Sequence, residues 1–217
     1  MRFVFFCLLS LFITSTAYSQ RSSNSIFRVT DPSFKTGTGF VVRADDHSCT
    51  IYTCAHVVGP PGSRVRIDKF SGGRWVTLGH GVVSAALEDD LVDAAVISCD
   101  FGNVVPLQLD YSHDGATRAS YVAGFPGGVV FSVRGFSLIT DRSVDHGMLF
   151  SPHVEVGFSG GPVYDSSGVV VGVISNTLHS KPSKMGLFRR LGDWSKLDAP
   201  ASQNKVTIQP VDTGCIK

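Results

Sequence analysis

The sequence predicts an all-β protein arranged as two antiparallel barrels, and three observations carry that prediction. Short apolar runs recur along the chain between turn residues, with no long helical pattern. Glycine is abundant, 23 of 217 residues, as many tight turns require. The runs also fall into two series around one polar stretch. Evenly spaced short strands indicate a barrel or a sandwich, and two series about one linker point to two six-stranded antiparallel barrels.

The elements follow in order. Residues 1–19 read as a signal peptide. Arg2 precedes an apolar run too short for a membrane anchor, and Ala17 and Ser19 have the spacing of a peptidase site before Gln20. The protein is therefore expected to be secreted or periplasmic. A polar lead-in runs from Ser22 to about Pro32. The first series of strands is Gly39–Arg43, Thr50–Cys54, Ser63–Lys69, Arg74–Leu78, His80–Ala85 and Ala94–Ser98. Lead-in and first barrel make a domain over 20–109. Asp110–Thr117 has no periodicity and reads as the linker. The second series is Ala119–Gly124, Val129–Phe136, Ser137–Arg142, Met148–Ser151, Pro162–Asp165 and Val169–Ser175. Leu187, Leu191 and Trp194 lie at helical spacing and predict a short terminal helix. Linker, second barrel and helix span 110–198, and 199–217 form a polar, Pro-containing tail.

Charge is balanced, with 19 basic against 18 acidic residues, so nothing supports a nucleic-acid or anionic-membrane partner. Apart from Cys7 in the leader, Cys49, Cys54, Cys99 and Cys215 remain, an even count that fits disulfides in an exported chain. The cysteines and histidines do not have zinc-ligand spacing, and no metal or cofactor is expected.

Three motifs carry chemistry. In Gly157-Phe158-Ser159-Gly160-Gly161-Pro162 a single serine stands among glycines that let the backbone approach a substrate. The N–H groups of Gly157 and Ser159 can face a developing oxyanion. A bare serine is a poor nucleophile and needs a base. His56, in Thr53-Cys54-Ala55-His56, follows the end of an apolar strand and titrates near neutral pH. Asp93 opens the apolar run Ala94-Ala95-Val96-Ile97, so its carboxylate is partly buried and requires a partner such as an imidazole N–H. Asp90 is its rival but does not abut the apolar run.

Together these residues resemble the trypsin-like, chymotrypsin-fold serine endopeptidases of bacterial type, which share the order His, Asp, Ser. The segments Gly37-Thr38-Gly39-Phe40, Gly124-Phe125-Pro126-Gly127, Val171-Gly172-Val173-Ile174-Ser175 and Gly186-Leu187-Phe188-Arg189 are similar to further parts of that family. The resemblance implies protein or peptide substrates cleaved through an acyl-enzyme. Ser159 would be nucleophile, His56 base and Asp93 its orienting partner, with Gly157 and Ser159 as oxyanion hole. It also places His153 at the base of the primary specificity pocket, with Ser175, Thr177 and Gly186 as walls. A neutral or protonated imidazole there disfavours Arg and Lys and leaves apolar or acidic side chains. The alternative is that Glu155 enters the pocket and restores a basic preference. By the same resemblance, Cys49 and Cys99 lie on neighbouring strands and form a disulfide, leaving Cys54 and Cys215 as a second pair. The chain departs from the digestive members at Phe158, where they carry an Asp that binds the new N-terminal ammonium. The loop must then be ordered by packing instead. The competing functions are a protease-like binding protein without turnover, against which the complete triad speaks, and an esterase.

Overall fold

The computed structural model describes residues 24–88, 92–112, 119–135, 137–139, 146–150, 155–180 and 183–198. The leader and the tail lie outside them. The polar lead-in contains a strand. β1 (Ile26–Thr30) buries Ile26, Phe27 and Val29 completely, and these side chains belong to the first core. Only five residues long and flanked by polar sequence, it gives a weak periodic signal. Five more strands follow: β2 (Thr36–Ala44), β3 (Cys49–Thr53), β4 (Arg64–Ser71), β5 (Arg74–Glu88) and β6 (Asp93–Cys99). A single helical turn, α1 (Ala55–Val58), follows β3. The strands close a barrel in the order β1-β2-β3-β6-β5-β4, because β1 pairs with both β2 and β4.

β5 is one strand where the sequence predicts two. Its pairing with β4 slips at Leu78, between Gly79 opposite Ile67 and Thr77 opposite Asp68. A bulge of this kind shifts the inward–outward alternation by one residue, which breaks the period-two pattern into two runs.

The crossing between barrels begins earlier than the predicted linker. Leu107 N–H donates to Val41 of the first barrel, and the Gln108–Asp110 segment exchanges hydrogen bonds with Val170 of the second. The second barrel comprises β7 (Ala119–Gly124), β8 (Ser132–Gly135), β9 (Ser137–Ile139), β10 (His146–Phe150), β11 (Pro162–Asp165), β12 (Val170–Ser180) and β13 (Ser183–Arg189). Their order is β8-β7-β11-β12-β13-β10-β9. The two edge strands, β8 and β9, are separated in the chain by one residue. The sheet therefore curls to bring its edges near each other, but among the described residues it has seven strands where the sequence predicts six, and β8 and β9 are not paired to close it as the first barrel is closed.

Each barrel has its own core. Val122, Phe158, Val163, Val171, Ile174 and Phe188 fill the second. The terminal helix α2 (Gly192–Leu197) packs back on the first barrel. Its fully buried Trp194 donates its indole N–H to Thr53 O at 2.7 Å, and Asp198 meets Tyr52 and Arg43. Arg28 ties the barrels together. It pairs with Asp68 at 2.8 Å, donates to Gly128 O at 3.0 Å and lies over Trp75, which stacks edge-on against Phe125. Among the described residues no helix is long and apolar enough to cross a membrane.

Candidate active site

His56 and Asp93 meet at the open end of the first barrel. β3 ends at Thr53 and α1 turns His56 toward the second barrel, while Asp93 is the first residue of β6. One carboxylate grips the histidine twice. Asp93 Oδ2 lies 2.7 Å from His56 Nδ1, and Oδ1 accepts the His56 backbone N–H at 3.1 Å. With Nδ1–H directed at the carboxylate, Nε2 keeps its lone pair, and the side chain retains 38% exposure. Asp93 is buried.

Burial opposes the charged form of both groups, and the pair overcomes it in both. Burial alone would lower the His56 pKa. The hydrogen bond and charge of Asp93, with the charge of Glu88, outweigh it and raise the value above 6.5, against a lowering effect of Lys35. Burial would raise the Asp93 pKa, but the bonds from His56 and from Ser175 hold it below its ordinary value.

Ser175 reaches this carboxylate because β12 bulges there. The β12–β13 register shifts between Ile174 and Asn176, and the extra residue turns its hydroxyl onto Asp93 Oδ2 at 3.0 Å. The sequence places Ser175 in a pocket wall; in the structure its hydroxyl bonds Asp93, so any part it takes in a wall falls to its backbone. Cys54 lies behind the pair, fully buried, with its sulfur 3.1 Å from Ile174 O. Cys54, His56 and Asp93 bring their polar atoms within 4.8 Å of one another. The 2.7 Å contact between His56 and Asp93 is a hydrogen bond, since two ligands on one tetrahedral zinc stand roughly 3.3 Å apart.

The Ser159 loop docks against the same strand end. Ser159 O accepts from Thr38 N–H at 2.8 Å, and Gly160 N–H donates to Ile174 O at 2.7 Å, so the dipeptide is held between β2 and β12. Gly160 has φ +83°, and a Cβ there would stand 2.1 Å from Thr38 O and 2.3 Å from Thr53 Oγ1, so only glycine lets the loop approach so closely. Thr38 is the hub of the junction. Its hydroxyl donates to Gly157 O at 2.6 Å and accepts from Phe125 N–H, and its carbonyl accepts the Thr53 hydroxyl. Flanked by Gly37 and Gly39, Thr38 reads in sequence only as part of a strand; nothing local marks its role in the junction.

Phe158 resolves the question its bulk raises. It is fully buried in the second core, so its ring anchors the loop from within. Both carbonyls that precede the expected oxyanion donors are tied down. Val156 O accepts from Gly127 N–H at 2.7 Å, and Phe158 O accepts from Gly161 N–H at 2.7 Å. In a trans peptide the next N–H points the opposite way. The N–H groups of Gly157 and Ser159 thus face away from these bonds, and neither has an acceptor among the described residues.

Thr177 and Gly186, expected as pocket walls, are direct partners across β12 and β13. His153 lies outside the described residues. Glu155 is described and exposed, and its carboxylate stands 3.4 Å from Arg134.

A closed β-barrel joined to a second antiparallel sheet, with a half-buried histidine held by a buried aspartate where they meet, defines the chymotrypsin-fold class of hydrolase. The chain belongs to the trypsin-like peptidase domain family, whose model matches residues 37–173, and is a serine-type endopeptidase. Solved structures agree on the fold. The active form of the Rv3671c protease from M. tuberculosis is 24% identical with a TM-score of 0.61, over 91% of this chain and 88% of that one. The serine endoprotease from Yersinia pestis is 16% identical with a TM-score of 0.63, over 82% of this chain and 63% of that longer one. A serine protease of human pathogenic astrovirus is 20% identical with a TM-score of 0.54, over 77% and 90%. A search of curated proteins returns no match.

Proposed function

We propose that the protein hydrolyses peptide bonds through an acyl-enzyme on Ser159. The observation that carries this reading is the double grip of Asp93 on His56, beside a loop with two unspent N–H groups. His56 Nε2 takes the Ser159 proton as Oγ attacks the scissile carbonyl. The oxyanion accepts from Gly157 and Ser159 N–H, and the imidazolium then protonates the leaving amine. Water, deprotonated by His56, releases the acyl group. Asp93 fixes the tautomer and stabilises the imidazolium, and Ser175 orients Asp93. Because Phe158 secures the loop by packing, no new N-terminus is required for activity once the leader 1–19 is removed on export to the periplasm or medium.

The specificity pocket is formed by His153, the Ser175–Thr177 segment and Gly186. The Glu155 carboxylate faces Arg134 and supplies no uncompensated charge to hold a basic side chain. A peptide-library digest is expected to show cleavage after apolar or acidic residues and weak cleavage after Arg or Lys. Dominant cleavage after Arg or Lys, lost in Glu155→Gln and kept in His153→Ala, would overturn the pocket assignment.

In the exported protein Cys49 and Cys99 form a disulfide. They are free thiols in this structure, buried, and directly opposite on β3 and β6. Their direct opposition in the β3–β6 register brings the two sulfurs to where one bond can join them. Cys54 points into the barrel junction. Cys215, the expected partner of Cys54, lies outside the described residues. Non-reducing peptide mapping of protein from an oxidising compartment should link Cys49 to Cys99; Cys49 found free or paired elsewhere contradicts this.

A further inference from the structure

A groove of about 340 Å³ opens on the outer face of the first barrel, beside the loop that enters β2. Its floor follows from strand registry. Thr30 pairs with Arg66, and Arg66 pairs with His80, so the three share one face across β1, β4 and β5. Arg64 joins them two residues along β4, while Val65 and Ile67 point into the core. The rim is the turn from Asp31 to Lys35. Its most prominent member is Phe34, 80% exposed and held at φ +66°, a backbone region disfavoured for a residue with a bulky Cβ substituent. The turn is fixed, not loose. Asp31 accepts from Ser33 Oγ at 2.6 Å and from Lys35 N–H at 2.7 Å, and its carbonyl accepts Phe34 N–H. The fold thus holds an apolar ring in water at the cost of backbone strain, which points to a use for the ring.

The groove is cationic. Arg64 has no acidic partner among the described residues, and Arg66 shares the already paired Asp68 with Arg28. Asp31, the acid of the rim, is spent on its own turn. The Thr30 hydroxyl in the wall is buried without a hydrogen-bond partner among the described residues. The groove also has a fixed relation to the nucleophile. Phe34 is four residues from Thr38, whose N–H binds Ser159 O, and Lys35 is close enough to influence His56. Ser159 is held between β12 on one side and the start of β2 on the other. A peptide whose acyl side lies along β12 therefore has its leaving-group side directed to the start of β2, the strand that Phe34 and Lys35 precede.

We infer that this groove is an accessory binding site for the leaving-group side of a protein substrate, taking an acidic segment that carries an apolar side chain. Carboxylates meet Arg64, Arg66 and His80, and the apolar side chain covers Phe34. The inference rests on the proposed peptidase reading for the direction of the chain, but binding and cleavage test the two separately. The probe is a fluorescently labelled peptide of alternating acidic and aromatic residues, titrated into the full protein by anisotropy. A Lys-for-acid peptide is the control. The acidic peptide should bind, more weakly as salt rises. Arg64→Gln and Phe34→Gly should each weaken it about fivefold or more, the scale of one well-placed interface side chain. The same segment appended to the leaving-group side of a cleavable peptide should raise kcat/KM, and the two variants should remove that gain while cleaving the unextended peptide like wild type. Equal binding of acidic and basic peptides, or binding indifferent to both variants, overturns the inference. So does a DNA oligonucleotide that binds as tightly without dependence on Phe34. Failure to cleave the unextended peptide strikes instead at the peptidase reading, and leaves the binding result to decide the groove.

Discussion

Ser159→Ala is expected to lower kcat on a peptide substrate by about 10⁶-fold, the loss seen when the nucleophile of such a unit is removed. The protein should remain folded. The residue's structural contribution is its carbonyl, which accepts from Thr38, and alanine keeps it. Neither the glycines on either side nor buried Phe158 is disturbed. Thermal unfolding should therefore shift little while turnover disappears. Adding His56→Ala to the same chain should cost almost nothing further, because the two act as one device. A loss of only a few fold, or two losses that multiply, would mean that another group attacks the carbonyl.

Asp93→Asn should cost about 10⁴-fold and also move the pH profile. The sign follows from the balance at His56. Asp93 is what outweighs burial and raises the histidine pKa above 6.5. The base works only when neutral, so wild-type activity should rise with pH through that raised value. Without the carboxylate, burial and Lys35 dominate, and the acid limb should move to lower pH even as the maximum falls. The same linkage applies to stability. The part contributed by the raised His56 pKa is complete below the unfolded histidine value and fades as pH rises through the folded one. The part contributed by the lowered Asp93 pKa is complete above the unfolded carboxyl value and is lost as pH falls through the folded one. An acid limb that stays in place in Asp93→Asn would show that His56 is not the titrating base.

Much of the fold is legible because each barrel strand states its own pattern. Ala119–Gly124 and Pro162–Asp165 stand in the structure with the limits the sequence predicts. The misses occur where pattern is overruled by partners. β1 is too short to show periodicity, yet it closes the barrel by pairing on both sides. β5 hides behind a bulge at Leu78 that inverts its alternation. At the site, the His56–Asp93 pair is legible because a histidine after a strand and an aspartate before one each need a partner. The Ser175 hydroxyl on Asp93 is not, since it depends on a bulge set by the register of β13. Thr38 is likewise ordinary in sequence and becomes the junction only when three separate segments converge on it.

The central claim is that Ser159 is an activated nucleophile, and a fluorophosphonate probe tests it most directly. The wild-type protein should take up one covalent adduct, mapped by mass spectrometry to the peptide that contains Ser159. Labelling should slow as His56 is protonated, and it should vanish in Ser159→Ala. Labelling that persists in Ser159→Ala, or that maps to any other residue in the wild type, would contradict the account.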